Sequence, residues 1–235
     1  MRLEAHSVEK WYLRGKGESN RFFVVKNTDL VLESGKVTVL TGRSGSGKTT
    51  LMNILSGLLA PDGGKVMLDG RDLYGLNDDQ LSKLRNRSFG MIPQGADVLP
   101  ELTVMENIVL AQGIYGNKAD ASFCQAEQHG RKLIEQMEIG HLSCVQAKEL
   151  SGGERRRVCI ARALAGTPAF IFADEPTSDL DDENTQIVLS ILKDAAVSGS
   201  AVMIVTHDHE ALDYADEKYR MDGGLPVLLT QGYNQ

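Results

Sequence analysis

The chain has 235 residues, 42% hydrophobic and 24% charged, enough for one large core without disulfide staples. Its formal net charge of -7 excludes an overall basic field of the kind that grips nucleic acid or anionic lipid without specificity. Three cysteines, Cys124, Cys144 and Cys159, with no C-x-x-C spacing, exclude a disulfide framework and a structural zinc site and point to a reducing, cytoplasmic compartment.

The first residues, MRLEAHSVEKWY, carry no apolar leader-like core, and no apolar run approaches the roughly 20 residues that span a bilayer, so any membrane crossing is expected of other chains. From Leu3 to Leu32 the pattern is strand-like: LEAHSVEKWYL, then RFFVVK and DLVLE, separated by the polar tip GKGESN. An antiparallel β layer is predicted here. Trp11 and Tyr12 precede the Arg14-Gly15-Lys16-Gly17 stretch, where an aromatic ring either stacks on adenine or packs in the sheet.

Lys36 to Ser56, KVTVLTGRSGSGKTTLMNILS, reads as a buried strand, a glycine-rich turn and a helix start in succession. Gly42-Arg43-Ser44-Gly45-Ser46-Gly47-Lys48-Thr49 satisfies G-x-x-x-x-G-K-[ST] with one extra glycine, so successive backbone N–H groups can turn toward an anion. The helix dipole adds positive potential, Lys48 reaches the β- and γ-phosphates, and the Thr49 hydroxyl is placed to ligate Mg2+. GGKVMLDGRDL follows as a hairpin arm turning at Asp69-Gly70, and DDQLSKLRN as a helix with an acidic first turn.

Ser88 to Pro93, SFGMIP, is a short apolar strand that Pro93 should end, leaving Gln94 to open a loop. Helical periodicity then runs from Thr103 to Tyr115 and from Ala119 to Ile139, interrupting the alternation of strand and helix; this marks a mainly helical subdomain. His129 and His141 lack ligand-like partners, and surface or capping roles are expected for both. Ser151 and Glu154 form a capping-box pattern, while Gly152 and Gly153 weaken that helix start unless the backbone must approach something closely, and N–H groups exposed there bind phosphate. The run Arg155, Arg156, Arg157 with Arg162 is expected to form a solvated face.

Ala169 to Ala173 is a second buried strand, ending in Asp174 and Glu175 where α/β sheets place their ligands; adjacency lets one carboxylate serve a metal and the other face an attacking water. A polar turn from Ser178 to Asp181, a helix marked by Ile187, Val188, Ile191 and Leu192, and a third core strand, Ala201 to Thr206, follow. His207-Asp208-His209 has metal-like spacing but no further ligand-rich sequence, and His207 is read as a γ-phosphate contact instead. Weak strands are expected after Asp216.

Taken in order, the phosphate loop, Gln94, Leu150-Ser151-Gly152-Gly153-Glu154, Asp174-Glu175, the Ser178–Asp181 turn and His207 resemble the ATP-binding cassette (ABC) ATPases over nearly the whole chain. The serine-glycine-glycine signature separates that superfamily from other phosphate-loop enzymes. The resemblance implies an α/β fold: a phosphate-loop NTPase core with an N-terminal antiparallel β layer and a helical subdomain, about residues 89–165, carrying the signature, all in one nucleotide-binding domain of residues 1–235. It implies ATP and Mg2+ as ligands and a second copy of the same chain, head to tail, each ATP lying between one phosphate loop and the other chain's signature. Tyr12 would stack on adenine; Gly42, Arg43, Ser44, Gly45, Ser46, Gly47, Lys48, Thr49 and Thr50 would bind the phosphates; Ser151, Gly152 and Gly153 would clamp the opposite ATP. Thr49, Gln94 and Asp174 would hold Mg2+, Glu175 would be the general base, and His207 would sense the γ-phosphate.

Leu84-Arg85-Asn86, Phe89-Gly90, Leu99-Pro100, Leu102-Thr103-Val104 and Glu106-Asn107 are similar to the lipoprotein-releasing, macrolide-exporting and cell-division group. That resemblance implies a cytoplasmic ATPase, held on the inner face of the cell membrane by separate permease subunits, of export or release type. Pro93, Asp179 and Glu217-Lys218 depart from the group's pattern, where an aromatic, a small residue and an arginine are usual. The alternatives are an ABC ATPase acting on nucleic acid or ribosomes, one driving mechanical signalling across the membrane, or a module that binds ATP without hydrolysing it. No nucleic-acid partner is expected, since the chain lacks a coiled-coil insertion or a second cassette.

Overall fold

A computed structural model describes residues 1–14, 21–115 and 121–229. Alternation along three strands organises it. In β7 (Phe170–Asp174) and β8 (Ala201–Val205) successive side chains point to opposite faces, so Ile171, Ala173, Val202 and Ile204 enter one apolar core while Phe170, Phe172, Met203 and Val205 enter another. β3 (Val37–Thr41) does the same with Val39 and Leu40. A strand buried on both faces has to be apolar throughout, which is why these runs were legible as core strands.

The strands lie in a six-stranded sheet of order β10-β9-β3-β8-β7-β6, parallel except for the terminal hairpin of β9 (Glu217–Asp222) and β10 (Leu225–Leu228). β9 pairs in parallel with β3, so the weak tail strands expected after Asp216 complete the core sheet. The first core lies between this sheet and the helices α3 (Val104–Tyr115), α4 (Ala121–Gln136), α5 (Gly152–Leu164) and α6 (Asp182–Val197). The second lies between it and a four-stranded antiparallel sheet, ordered β2-β1-β4-β5, with α1 (Lys48–Leu55) packed into it.

In that antiparallel sheet β1 (Arg2–Leu13) pairs with β2 (Arg21–Glu33) and with β4 (Gly63–Leu68), which turns into β5 (Arg71–Asp72). RFFVVK and DLVLE, read from sequence as separate strands, are one strand. Register shifts against β1 and an Asn27 at φ 29° absorb the exposed Lys26 and Asn27 as an irregularity and not as a break. The residues from Gly15 to Gly17 lie outside the described chain. α2 (Asp78–Ser88) begins in a complete capping box between Asn77 and Gln80.

One boundary needs correction. The helical subdomain was expected to begin at about residue 89, yet β6 (Phe89–Ile92) pairs with β7 in the core sheet, Phe89 opposite Phe170 and Ile92 opposite Ala173. The Phe89 ring meets Phe170 and Phe172 edge to face, at 5.7 and 5.4 Å between centroids. These contacts anchor the strand to the sheet, and the helices of the expected subdomain follow it.

Candidate active site

The phosphate loop sits where β3 gives way to α1. Gly42 and Gly47 have φ of 147° and 105°; a Cβ on Gly42 would stand 2.8 Å from the Met221 carbonyl oxygen, and one on Gly47 would run into that of Val24. α2, α5 and α6 have N-termini capped by Asn77, Ser151 and Asp181, but α1 begins at Gly47 with no side-chain cap and no acidic residue in its first turn. Its positive end and first N–H groups are therefore available to an anion. Ser46 Oγ is buried with no protein partner, a hydroxyl suited to a phosphate oxygen.

A cavity of about 650 Å3 opens over this helix end. Its walls are Gly42, Arg43, Ser44, Gly45, Ser46, Gly47, Lys48, Thr49 and Thr50, with Val24, Gln94, Asp174, Glu175 and His207 around them. Lys48 Nζ lies along the loop, donating to the Gly42 carbonyl at 2.8 Å and the Arg43 carbonyl at 3.3 Å. Thr49 Oγ1 donates to Asp174 Oδ2 at 2.8 Å. A hydroxyl and a carboxylate this close, beside a phosphate cradle, are hard oxygen donors of the kind Mg2+ takes. Burial pushes the Asp174 carboxyl above its ordinary pKa; the Thr49 hydrogen bond opposes this, while the neighbouring Glu175 charge adds to it.

Glu175 is fixed at both ends. Its carboxylate accepts Thr206 Oγ1 at 2.9 Å and the His207 backbone N–H at 3.3 Å, and its Oε1 lies 2.9 Å from His207 Nδ1. Its backbone sits at φ 48°, a left-handed conformation that costs a non-glycine residue about 1 kcal/mol, held by its N–H donating to the Val205 carbonyl at 2.7 Å. The His207 ring is largely exposed, so one edge engages Glu175 while the rest faces the cavity and solvent.

Four residues expected at the nucleotide do not line this cavity: Tyr12, Ser151, Gly152 and Gly153. Tyr12 is 47% exposed near the end of β1, opposite Phe22, with Lys10 Nζ 5.9 Å from its ring centroid. Trp11, the other candidate ring, is covered by the Arg21 guanidinium at 4.2 Å. Ser151 caps α5 in a closed capping box with Glu154, and Gly152 is open to solvent with nothing within 4 Å of a built Cβ. His207-Asp208-His209 forms no metal cluster among the described residues; Asp208 instead accepts Thr177 Oγ1 at 3.1 Å and the Glu210 N–H at 2.9 Å.

The arginine run does not form a solvated face. Arg157 bonds to Asn184 and Arg162 donates to the Asp97 carbonyl at 2.7 Å, while Arg156 is 1% exposed. Its guanidinium donates to the carbonyls of Pro93, Gln94, Asp174, Glu175 and Pro176. Burial lowers its pKa from the ordinary value, and surrounding negative groups, Asp174, Glu175 and Asp179 among them, oppose that shift. Helical spacing carried the missing signal: Arg156, Ile160 and Leu164 fall on one stripe of α5, and that stripe is buried. Thr206 was also passed over, although it directly precedes His207 and is fully buried.

A sequence profile described as ABC transporter matches residues 25–178, well over half of the chain. The chain belongs to the ABC transporter family. It is 38% identical over 231 residues to a lipoprotein-releasing system ATP-binding protein, LolD, of Saccharophagus degradans, covering 98% of this chain and 97% of that one. The LolD of Aquifex aeolicus is 36% identical over 225 residues, with 96% of each chain covered. Among solved structures, the dimeric post-hydrolysis state of the ATP-binding cassette MJ0796, bound to ADP and Pi, superposes with a TM-score of 0.84 at 30% identity, covering 95% of this chain and 96% of that one. This family member is thus an ABC ATPase, the ATP-hydrolysing subunit type of a transporter. No helix among its described residues is long and apolar enough to cross a membrane.

Proposed function

We propose that this cassette hydrolyses Mg-ATP between two copies of itself and drives separate permease subunits in a lipoprotein-releasing type of transporter. The observation that carries the reading is the cavity in which an uncapped helix end and its glycine loop face Asp174 and Glu175. The loop from Gly42 to Thr50 takes the phosphates, and Lys48 turns from its own loop carbonyls to the β- and γ-phosphates. Bound Mg2+ would neutralise charge on those phosphates, held by Thr49, Asp174 and Gln94. Glu175 takes the proton of the attacking water from a carboxylate already oriented by Thr206 and His207, and His207 contacts the γ-phosphate.

The chain acts as one nucleotide-binding domain, residues 1–235, with the helices up to about residue 165 as the subdomain that meets the permease beside Gln94. Tyr12 stacks on adenine from its exposed place near the end of β1. Ser151, Gly152 and Gly153 lie off the cavity of their own chain and close on the ATP of the second copy. Near-complete coverage of the LolD relatives supports the lipoprotein-releasing assignment and a location on the inner face of the membrane through the permease.

Glu175→Gln tests the chemistry. Turnover should fall by about 10²-fold or more, since a positioned general base is worth that much. The same variant should dimerise with Mg-ATP in light scattering and, captured from gently solubilised membranes, should bring down a polytopic protein. Turnover at the parent rate would sink the assignment of Glu175, and a retinue of soluble proteins or nucleic acid alone would sink the transport reading.

A further inference from the structure

Arg156 carries a buried charge that hydrolysis as described above does not use. A guanidinium has five N–H donors, and all five of those in Arg156 are engaged, each acceptor being a main-chain carbonyl: Nε to Pro176 at 3.1 Å, Nη1 to Gln94 at 3.0 Å and to Pro93, Nη2 to Asp174 at 3.0 Å and to Glu175. No carboxylate oxygen is among those acceptors. The carboxylates of Asp174, Glu175 and Asp179 support the charge through their field alone. An arginine whose whole donor set is spent on backbone fixes the path of that backbone.

The five carbonyls belong to two places. Pro93 and Gln94 follow the end of β6, and Asp174, Glu175 and Pro176 sit at and beyond the end of the neighbouring parallel strand β7. The guanidinium staples the two strand ends together at the cavity. Its contact with the Glu175 carbonyl is reinforced by Ser178, which donates to the same oxygen through Oγ at 2.9 Å and through its N–H at 3.2 Å. Glu175 is the residue whose left-handed φ must be held for its carboxylate to reach Thr206 and His207. At its other end Arg156 belongs to the second turn of α5, whose first residues are the signature glycines Gly152 and Gly153.

We propose that Arg156 is a positioning residue: it ties the signature helix and the Gln94 loop to the backbone of Glu175, so that seating the signature on the partner copy's nucleotide sets the orientation of the base. The proposal rests on the assignment of Glu175 made above. It separates two quantities that a merely structural arginine would change together or not at all. Nucleotide binding in the absence of Mg2+ uses the glycine loop, which Arg156 does not touch, whereas turnover uses the Glu175 carboxylate, whose backbone Arg156 holds.

The test compares Arg156→Gln, Arg156→Lys and Ser178→Ala in the full chain, alongside Glu175→Gln. Arg156→Gln should bind a fluorescent ATP analogue in the absence of Mg2+ within about threefold of the parent and still dimerise on Mg-ATP, while kcat falls by about 10²-fold, the size of loss that an ångström-scale misplacement produces. Arg156→Lys, with three donors, should recover part of that loss, and Ser178→Ala should lower kcat by a few-fold without changing affinity. Parent kcat in Arg156→Gln, or a fall matched by equal loss of nucleotide affinity, or lysine no better than glutamine, would overturn the proposal. Should the Arg156 variants fail to fold, Ser178→Ala decides: lowered kcat at parent affinity supports it, and parent kcat overturns it. Parent turnover in Glu175→Gln withdraws the base assignment itself, whereas an inactive Glu175→Gln beside a fully active Arg156→Gln withdraws the role of Arg156 alone.

Discussion

Asp216 shows how one side chain ties the core sheet to its surroundings. Its carboxylate accepts the Val37 N–H at 2.8 Å, where β3 begins, and both oxygens lie 2.8 Å from Lys193 Nζ on α6. Burial raises its pKa, and the Lys193 and Val37 hydrogen bonds more than offset that, leaving it below the ordinary aspartate value. A carboxylate with a depressed folded pKa contributes stability that is present above its unfolded pKa, about 3.9, and is lost as pH falls through the folded value. Thermal melts between pH 7 and pH 3 should therefore show a steeper acid limb for the parent than for Asp216→Asn. The variant should melt lower at pH 7 and converge on the parent at the acid end; parallel curves would count against the linkage. The next residue departs from the arginine usual in the resembling group, and Glu217 uses the difference to reach Lys36 at 3.0 Å, an exposed pair worth little by itself.

At the scale of elements, α2 and α5 start with the same device, a side-chain cap and a reciprocal glutamine or glutamate three residues on, but in different places. Removing the cap should cost each about 1 kcal/mol. In a domain of this size that is about 2–4 °C in Tm. Asn77→Ala should show that loss with ATPase unchanged, while Ser151→Ala should show a similar loss and a lowered rate if, as proposed, its hydroxyl also joins the clamp on the opposite nucleotide. Equal ATPase in the two variants would reduce Ser151 to a cap. The Ser151 cap was legible in the sequence, as were β3, β7 and β8, because burial on two faces forces apolar runs and a helix start needs a polar acceptor; at α2 the acidic first turn marked the helix start while the Asn77–Gln80 box emerges only in the structure. β2 was cut in two because exposed Lys26 and Asn27 look like a turn when the pairing that carries the strand through them is not visible. β6 was legible as a strand but not as a member of the core sheet, since its partner β7 lies some 80 residues on and strand order is decided by tertiary packing. Arg156 was hidden by its neighbours, since a run of arginines reads as a surface until its helical stripe is followed.

At the scale of the whole molecule, the proposed function makes one chain a half-site. Its glycine loop, metal-type oxygens and Glu175 converge on one cavity, while Ser151, Gly152 and Gly153 stand off it, with Gly152 opening to solvent. A two-fold dimer repeats the same contact twice, so two half-sites facing each other give two complete ones. Two variants then become complementary. Lys48→Ala damages the loop, and Gly152→Asp sets a carboxylate at the clamp without disturbing its own chain, since a Cβ there meets nothing within 4 Å and an acid suits a helix N-terminus. Each should be nearly inactive alone. Mixed in equal amounts, their heterodimers carry one doubly damaged site and one intact site, and random two-fold pairing predicts recovery of about a quarter of the parent rate. Recovery of Mg-ATP-dependent dimer without recovery of rate would mean that the two sites must fire together. If neither dimer nor rate returned, a single chain would have to supply both loop and clamp, and α5 would have to travel to its own phosphate loop.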